Sequence, residues 1–488
     1  MEREGLFRDG MYGRTDSAVS HLTVKKRTSR ARNHPAGGVR PGDMAISSVM
    51  TFLRSRGLAS ALLSVLLLVA ACGNAAPSTA PATAPASLAP TASPGATAAV
   101  SQAASASPSP AASADNAALY TQIEQQVIKL RGLQPKSPVA RNVLDEAGLR
   151  DFIKKSFNED NPADLVRATE TLYKELLLMP QDASLASLFV ELYTSSVAGL
   201  YDNKTKQLYV VSKSGAIGPV EKVTYAHEYT HALQDQNFDL QAVVGDAKDQ
   251  SDRSLARTTM VEGDAYLTMG LWAQANLSAA EMGQIAAATD PASEAALAKL
   301  PEIVKQQLLF PAMSGIGFAL ADYAKGGFGA IDKRFANPPD STEQILHADK
   351  LAAGEKPVVV TFPQDLAARL GTGWKVSLQD TMGEMQLEIL LREGGATNSK
   401  AAAAGWGGDR VALVEGPDGA TGVALDTAWD TEADAAEFQA ALEPLVAKLQ
   451  ASGRSAAVLV PGPNRVVLVS GSSPDVLGRV ANVLGLAQ

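Results

Sequence analysis

Five histidines occur in 488 residues, and two of them stand four apart in Tyr225-Ala226-His227-Glu228-Tyr229-Thr230-His231-Ala232-Leu233. On a helix that spacing turns both imidazoles to one face, within reach of one ion, while Glu228 stands ~100° round the axis beside them. Neutral imidazole nitrogens suit zinc, and a catalytic zinc site has three protein ligands and a fourth position for water. The pattern therefore fits hydrolysis, with His227 and His231 as ligands to Zn2+. Glu228 would be the general base, taking the proton from metal-bound water as it attacks a polarised carbonyl. Chance placement would give H-E-x-x-H in fewer than about one in a hundred chains of this composition.

A third ligand is needed, and with one cysteine in the chain and no other histidine nearby it must be a carboxylate. Glu262 is the best candidate. It lies in the apolar turn Met260-Val261-Glu262-Gly263-Asp264-Ala265, where a buried charge without a partner would be costly. Gly263 beside it costs about 1 kcal/mol relative to alanine inside a helix, which points to close approach of another element. Asp264 and Asp246 are the alternatives. Asp235, one turn after His231, is placed to accept the other ring N–H of a ligand histidine, and a solvated helix end explains it as well. His347 follows Asp340 and Glu343, which have capping-box spacing, and is a candidate donor to the oxyanion of a tetrahedral intermediate; Tyr266 is a comparable one.

H-E-x-x-H followed 31 residues later by a glutamate in an E-G-x-A setting resembles the gluzincins, the metallopeptidases that include thermolysin and the M1 aminopeptidases. The resemblance covers about residues 201–276. It implies a zincin-like fold, with His227, His231 and Glu262 as zinc ligands, Glu228 as base and a peptide or protein substrate. In such enzymes an edge strand upstream of the motif holds extended substrate, a role open to Tyr209 to Val211. A closer likeness is to uncharacterised bacterial surface lipoproteins carrying H-E-x-x-H-A-L-Q-D-Q and S-T-E-Q-I-L-H, matched at 227–236 and 341–347. The chain departs from thermolysin around the third ligand and lacks its downstream histidine motif.

These residues need rigid elements to hold them. Apolar spacing predicts helices over Val220 to Asn237 and Ser254 to Asn276, preceded by a hairpin with strands at 198–202 and 207–211. Residues 117–196 read as helical throughout, as do residues 291–350, with turns at Gly315, Gly326-Gly327 and Asn337-Pro338-Pro339. After Pro357 the runs 358–360, 411–414, 422–428, 456–460 and 465–469 read as strands, with helices at 380–393, 431–450 and 473–486 between them. The expected class is α+β: a mainly helical zincin-like catalytic domain with a β-hairpin over 117–355, then a small α+β domain over 356–488.

The lone cysteine is accounted for by its neighbours. Arg54 and Arg56 precede an uncharged run from Gly57 that ends Val69-Ala70-Ala71-Cys72-Gly73, which has the parts of a secretory signal and resembles a bacterial lipobox. Residues 1–71 are then a leader and lipoprotein signal peptide, with translation expected to begin at Met44 or Met50, and Cys72 is the lipidation site. Residues 72–116 are a disordered tether: from Ala75 to Ala114, 36 of 40 residues are Ala, Pro, Ser or Thr, too little apolar surface to order a chain. Its reach, roughly 35 Å, would hold a folded body off the membrane at the bacterial cell surface or periplasmic face. The first 57 residues hold 11 basic and 5 acidic side chains, leaving 32 against 47 beyond them, an acidic surface that excludes nucleic acid as a partner. The competing reading is a non-catalytic surface lipoprotein that binds a partner or envelope component.

Overall fold

The computed structural model describes residues 110–196, 199–211, 217–245, 250–288 and 291–486. Cys72, the tether as far as residue 109 and Asp246 lie outside them. Helices surround two small sheets, which makes the protein α+β as its sequence pattern predicts.

The first sheet has three strands in the order β1-β3-β2, with β1 at Ala140–Leu144, β2 at Gly199–Asp202 and β3 at Gln207–Val211. The β2–β3 hairpin is the predicted one. Asp202 closes its turn by accepting from Lys204 N at 2.9 Å and from Thr205 Oγ1 at 2.7 Å. β1 interrupts the stretch expected to be wholly helical, and it pairs in parallel with β3 from Ala140↔Gln207 to Leu144↔Val211. β3 is therefore flanked on both sides. Tyr209 to Val211 are thus not a free edge, and the edge strands of this sheet are β1 and β2.

Two helices carry the site. Pro219–Phe238 starts with proline in its first turn, and Glu221 accepts from Gly218 N at 3.0 Å. It is buried without a break from Val223 to Asp235, so His227, Glu228, His231 and Gln234 are all inside the body. Ser251–Asn276 packs along it and brings Glu262. The close approach signalled by Gly263 is made by a third helix, Glu302–Gly326: a Cβ on Gly263 would lie 2.1 Å from Gly315 O. Gly315 is thus not the turn its residue type suggested but the contact point of a continuous helix. An N-terminal helix, Pro110–Arg131, starts inside the expected tether, its alanines being good helix formers next to the buried Tyr120, Ile123 and Val127.

The second sheet is antiparallel, in the order β4-β5-β6-β8-β7, from Lys375–Asp380, Trp406–Glu415, Thr421–Trp429, Ser455–Gly462 and Arg465–Gly471. Both faces are covered, which explains its unbroken apolar runs. Val411, Leu413, Val423, Leu425, Val466 and Leu468 face a core shared with Ile123, Leu233 and Trp272 of the helices around His227 and Glu262. Ala412, Val414, Ala424, Val467 and Val469 face Val476 and Val480 of the last helix, Pro474–Val483. β4 was not foreseen. Val358 to Val360, expected as a strand, lie outside the sheet, although Val358 N donates to Gly407 O at 2.6 Å.

Candidate metal centre

The side chains of His227, His231 and Glu262 meet. The two Nε2 atoms are 3.0 Å apart, and Glu262 Oε2 is 3.4 Å from that of His227 and 3.5 Å from that of His231. Ligand atoms held at ~2.0–2.1 Å by a tetrahedral zinc ion stand ~3.3 Å from one another. The donor types and their spacing both fit that ion. All three residues are buried, so a cation here would be shielded from solvent.

On the protein's own charges the three groups respond differently. Burial pushes His227 down to about 4, with the Glu262 hydrogen bond countering part of the effect. Burial also opposes charge on His231, but the Glu262 carboxylate outweighs it and raises the ring to about 9. Glu262 is driven upward by burial and, more strongly, downward by the two histidines, so its carboxyl falls well below the ordinary range. Three bases that converge on one point are the arrangement that a divalent cation fits, displacing protons as it binds.

Glu228 stands beside this group. Its Oε2 accepts from Tyr201 N of β2 at 2.8 Å, and its buried Oε1 has no hydrogen-bond partner among the described residues. Burial pushes the carboxyl up to about 8. One oxygen is fixed and the other is left available, the disposition a general base requires. A cavity of about 30 Å³ opens against His231 and Glu262, between Tyr201 and Asn203 on one side and Leu240, Val244 and Val261 on the other.

The remaining candidates lie as follows. Asp235 does not touch a ligand ring: it accepts from Tyr201 Oη at 2.8 Å, Lys206 Nζ at 2.6 Å and Leu240 N at 3.2 Å, tying the hairpin to the helix end. The partner of His231 Nδ1 is Gln234 Oε1 at 2.8 Å. Asp264, an alternative third ligand, faces Arg131 Nε at 2.8 Å instead. Tyr266 packs on the His227 ring with centroids 4.5 Å apart. His347 Nε2 pairs with Glu384 Oε1 at 2.8 Å and is not among the groups that converge with Glu262. The cap of its helix is Ser341, whose hydroxyl accepts from Gln344 N; Asp340 pairs with Arg257. Gln234, three residues after His231, carried a spacing signal that a search for carboxylates overlooks. Tyr201 N and Arg131 carried none.

A family described as a Domain of unknown function (DUF8575) matches residues 372–481, the stretch that forms the second sheet and its helices. No curated protein and no solved structure matches the chain.

Proposed function

We propose that this chain is a zinc-dependent metallopeptidase, lipid-anchored through Cys72 on the outer side of a bacterial membrane. The observation that carries the reading is the convergence of His227 Nε2, His231 Nε2 and Glu262 Oε2 at the separations of a tetrahedral ion's ligands, with Glu228 beside them. When bound, the ion would polarise the scissile carbonyl, activate water and draw the Glu228 carboxyl down from its raised value.

The protein's own groups supply the rest. Glu228, held at Oε2 by the Tyr201 amide, takes a proton at Oε1 and returns it to the amine as the C–N bond breaks. β2 is the strand edge next to the base, since its Tyr201 N–H points away from β3 to Glu228, and an extended peptide would lie along it. Burial of the three ligands keeps bulk water from competing for them.

Elemental analysis of the purified full-length protein tests the ligand set. Wild type should hold about one zinc per chain, and Glu262→Ala should lose it or bind it far more weakly. Undiminished zinc in that variant would exclude Glu262 as a ligand.

A further inference from the structure

We propose that Gln234 is a positioning residue for two of the three ligands, its own orientation being set by Asp264 and Arg131; the inference rests on the metal-centre reading above. Gln234 Nε2 donates to Val261 O at 3.0 Å and to Asp264 Oδ2 at 2.8 Å. Both partners are acceptors, so the NH2 group must face them and the amide oxygen must face His231 Nδ1, 2.8 Å away. An oxygen at that position requires a proton on Nδ1. With Nδ1 protonated, the lone pair of a neutral His231 ring sits on Nε2, the atom beside Glu262.

The same amide holds the backbone of the third ligand, because Val261 O is the carbonyl just before Glu262. Asp264 is fixed in turn by Arg131 Nε, at 2.8 Å to one oxygen and 3.1 Å to the other, and Arg131 Nη2 reaches Asp332 at 2.7 Å. Gln234 and Asp264 are 0% exposed and Arg131 is 1% exposed, so water does not substitute for any link. His227 lacks this support: its Nδ1 has no hydrogen-bond partner among the described residues, and its ring rests on Tyr266. The two histidines are therefore inequivalent, and the hydrogen-bond chain behind His231 runs through Gln234 and Asp264 to Arg131 on the N-terminal helix.

The test uses zinc alone as probe, titrated into the full-length protein against a chromophoric chelator, with ring-nitrogen NMR of the zinc-loaded form. Gln234→Leu removes the acceptor. Asp264→Asn is isosteric and touches no ligand; it removes the carboxylate that both Gln234 Nε2 and Arg131 Nε donate to, so one of these two donors is left facing an amide NH2 and the hold on Gln234 is weakened. Both variants should bind zinc ~10–100-fold more weakly, and the Nδ1 proton of His231 should lose its protection from exchange with water. Thermal unfolding of each chelated variant establishes which of them is folded, and the zinc titration is read on any that is. Zinc affinity within about twofold of wild type in Asp264→Asn, with the Nδ1 proton kept, overturns the positioning role alone. A wild type that takes up no zinc overturns the metal centre and this inference with it.

Discussion

In the proposed reaction the chemistry turns on Glu228. One carboxylate oxygen is committed to the Tyr201 amide and the other is buried beside the ligand cluster, so the side chain can exchange a proton without moving. Glu228→Gln keeps its size and still accepts from Tyr201 N, but it cannot take a proton. Turnover should fall at least ~100-fold while zinc content and melting temperature persist. Steady-state kinetics beside metal analysis decides the matter, and retained turnover would assign the base elsewhere. The convergence of His227, His231 and Glu262 was legible in the sequence because a helix converts four-residue spacing into one face, and because an unpartnered glutamate is costly in an apolar turn. The shell behind them was only partly legible. Asp235 and Gln234 are adjacent, and only packing decides which side chain turns toward the His231 ring. Arg131 meets Asp264 across 133 residues of sequence, a pairing that no local pattern announces.

Element by element, the site is a helix pair held at a set distance by a third helix. Gly263 and Gly315 let Glu302–Gly326 touch the backbone next to Glu262: a Cβ on Gly315 would lie 2.5 Å from Thr259 O, and one on Gly263 closer still to Gly315 O. Gly263→Ala must push the helices apart. Overpacking of this kind costs ~1–3 kcal/mol or more, so the melting temperature should drop by several degrees. Because Glu262 is the neighbouring residue, zinc affinity should weaken too. Thermal unfolding and zinc titration of the variant test both, and wild-type values in each would mean that the contact positions nothing. The misread elements share a cause. β1 is a five-residue segment whose partner β3 begins more than sixty residues later, and its alternation is too short to compete with the helical pattern around it. Gly315 carries the letter of a turn because close helix packing and chain reversal ask for the same residue. Val358 to Val360 have strand composition, yet their apolar side chains find no place in the sheet: Val359 is 84% exposed.

At the scale of the whole molecule, the segment matched by the family of unknown function is joined to the helix that carries Glu262 by a polar hub. Ser251 N, at the start of the Glu262 helix, donates to Asp380 of β4 at 3.0 Å, and Asp252 accepts from Thr342 N and Oγ1. Gly383, with φ +75°, passes so close to Asp252 that a Cβ would lie 1.8 Å from its Oδ1. The second sheet thus anchors the helix that carries Glu262. The S-T-E-Q-I-L-H segment, noted in the sequence as a likeness, lies at this junction, with His347 joined to Glu384. If Cys72 carries the lipid, Cys72→Ser should move the protein from the membrane to the soluble fraction, because one residue bears the attachment. Fractionation of cells expressing the variant checks this, and full retention would point to a membrane-embedded 57–71 segment instead. The central claim is put most directly to cleavage of a broad peptide library by the full-length protein, followed by mass spectrometry before chelation, after chelation and after zinc is restored. The account predicts cleavage that chelation abolishes and zinc returns, whereas a zinc-loaded protein that cleaves nothing would contradict it.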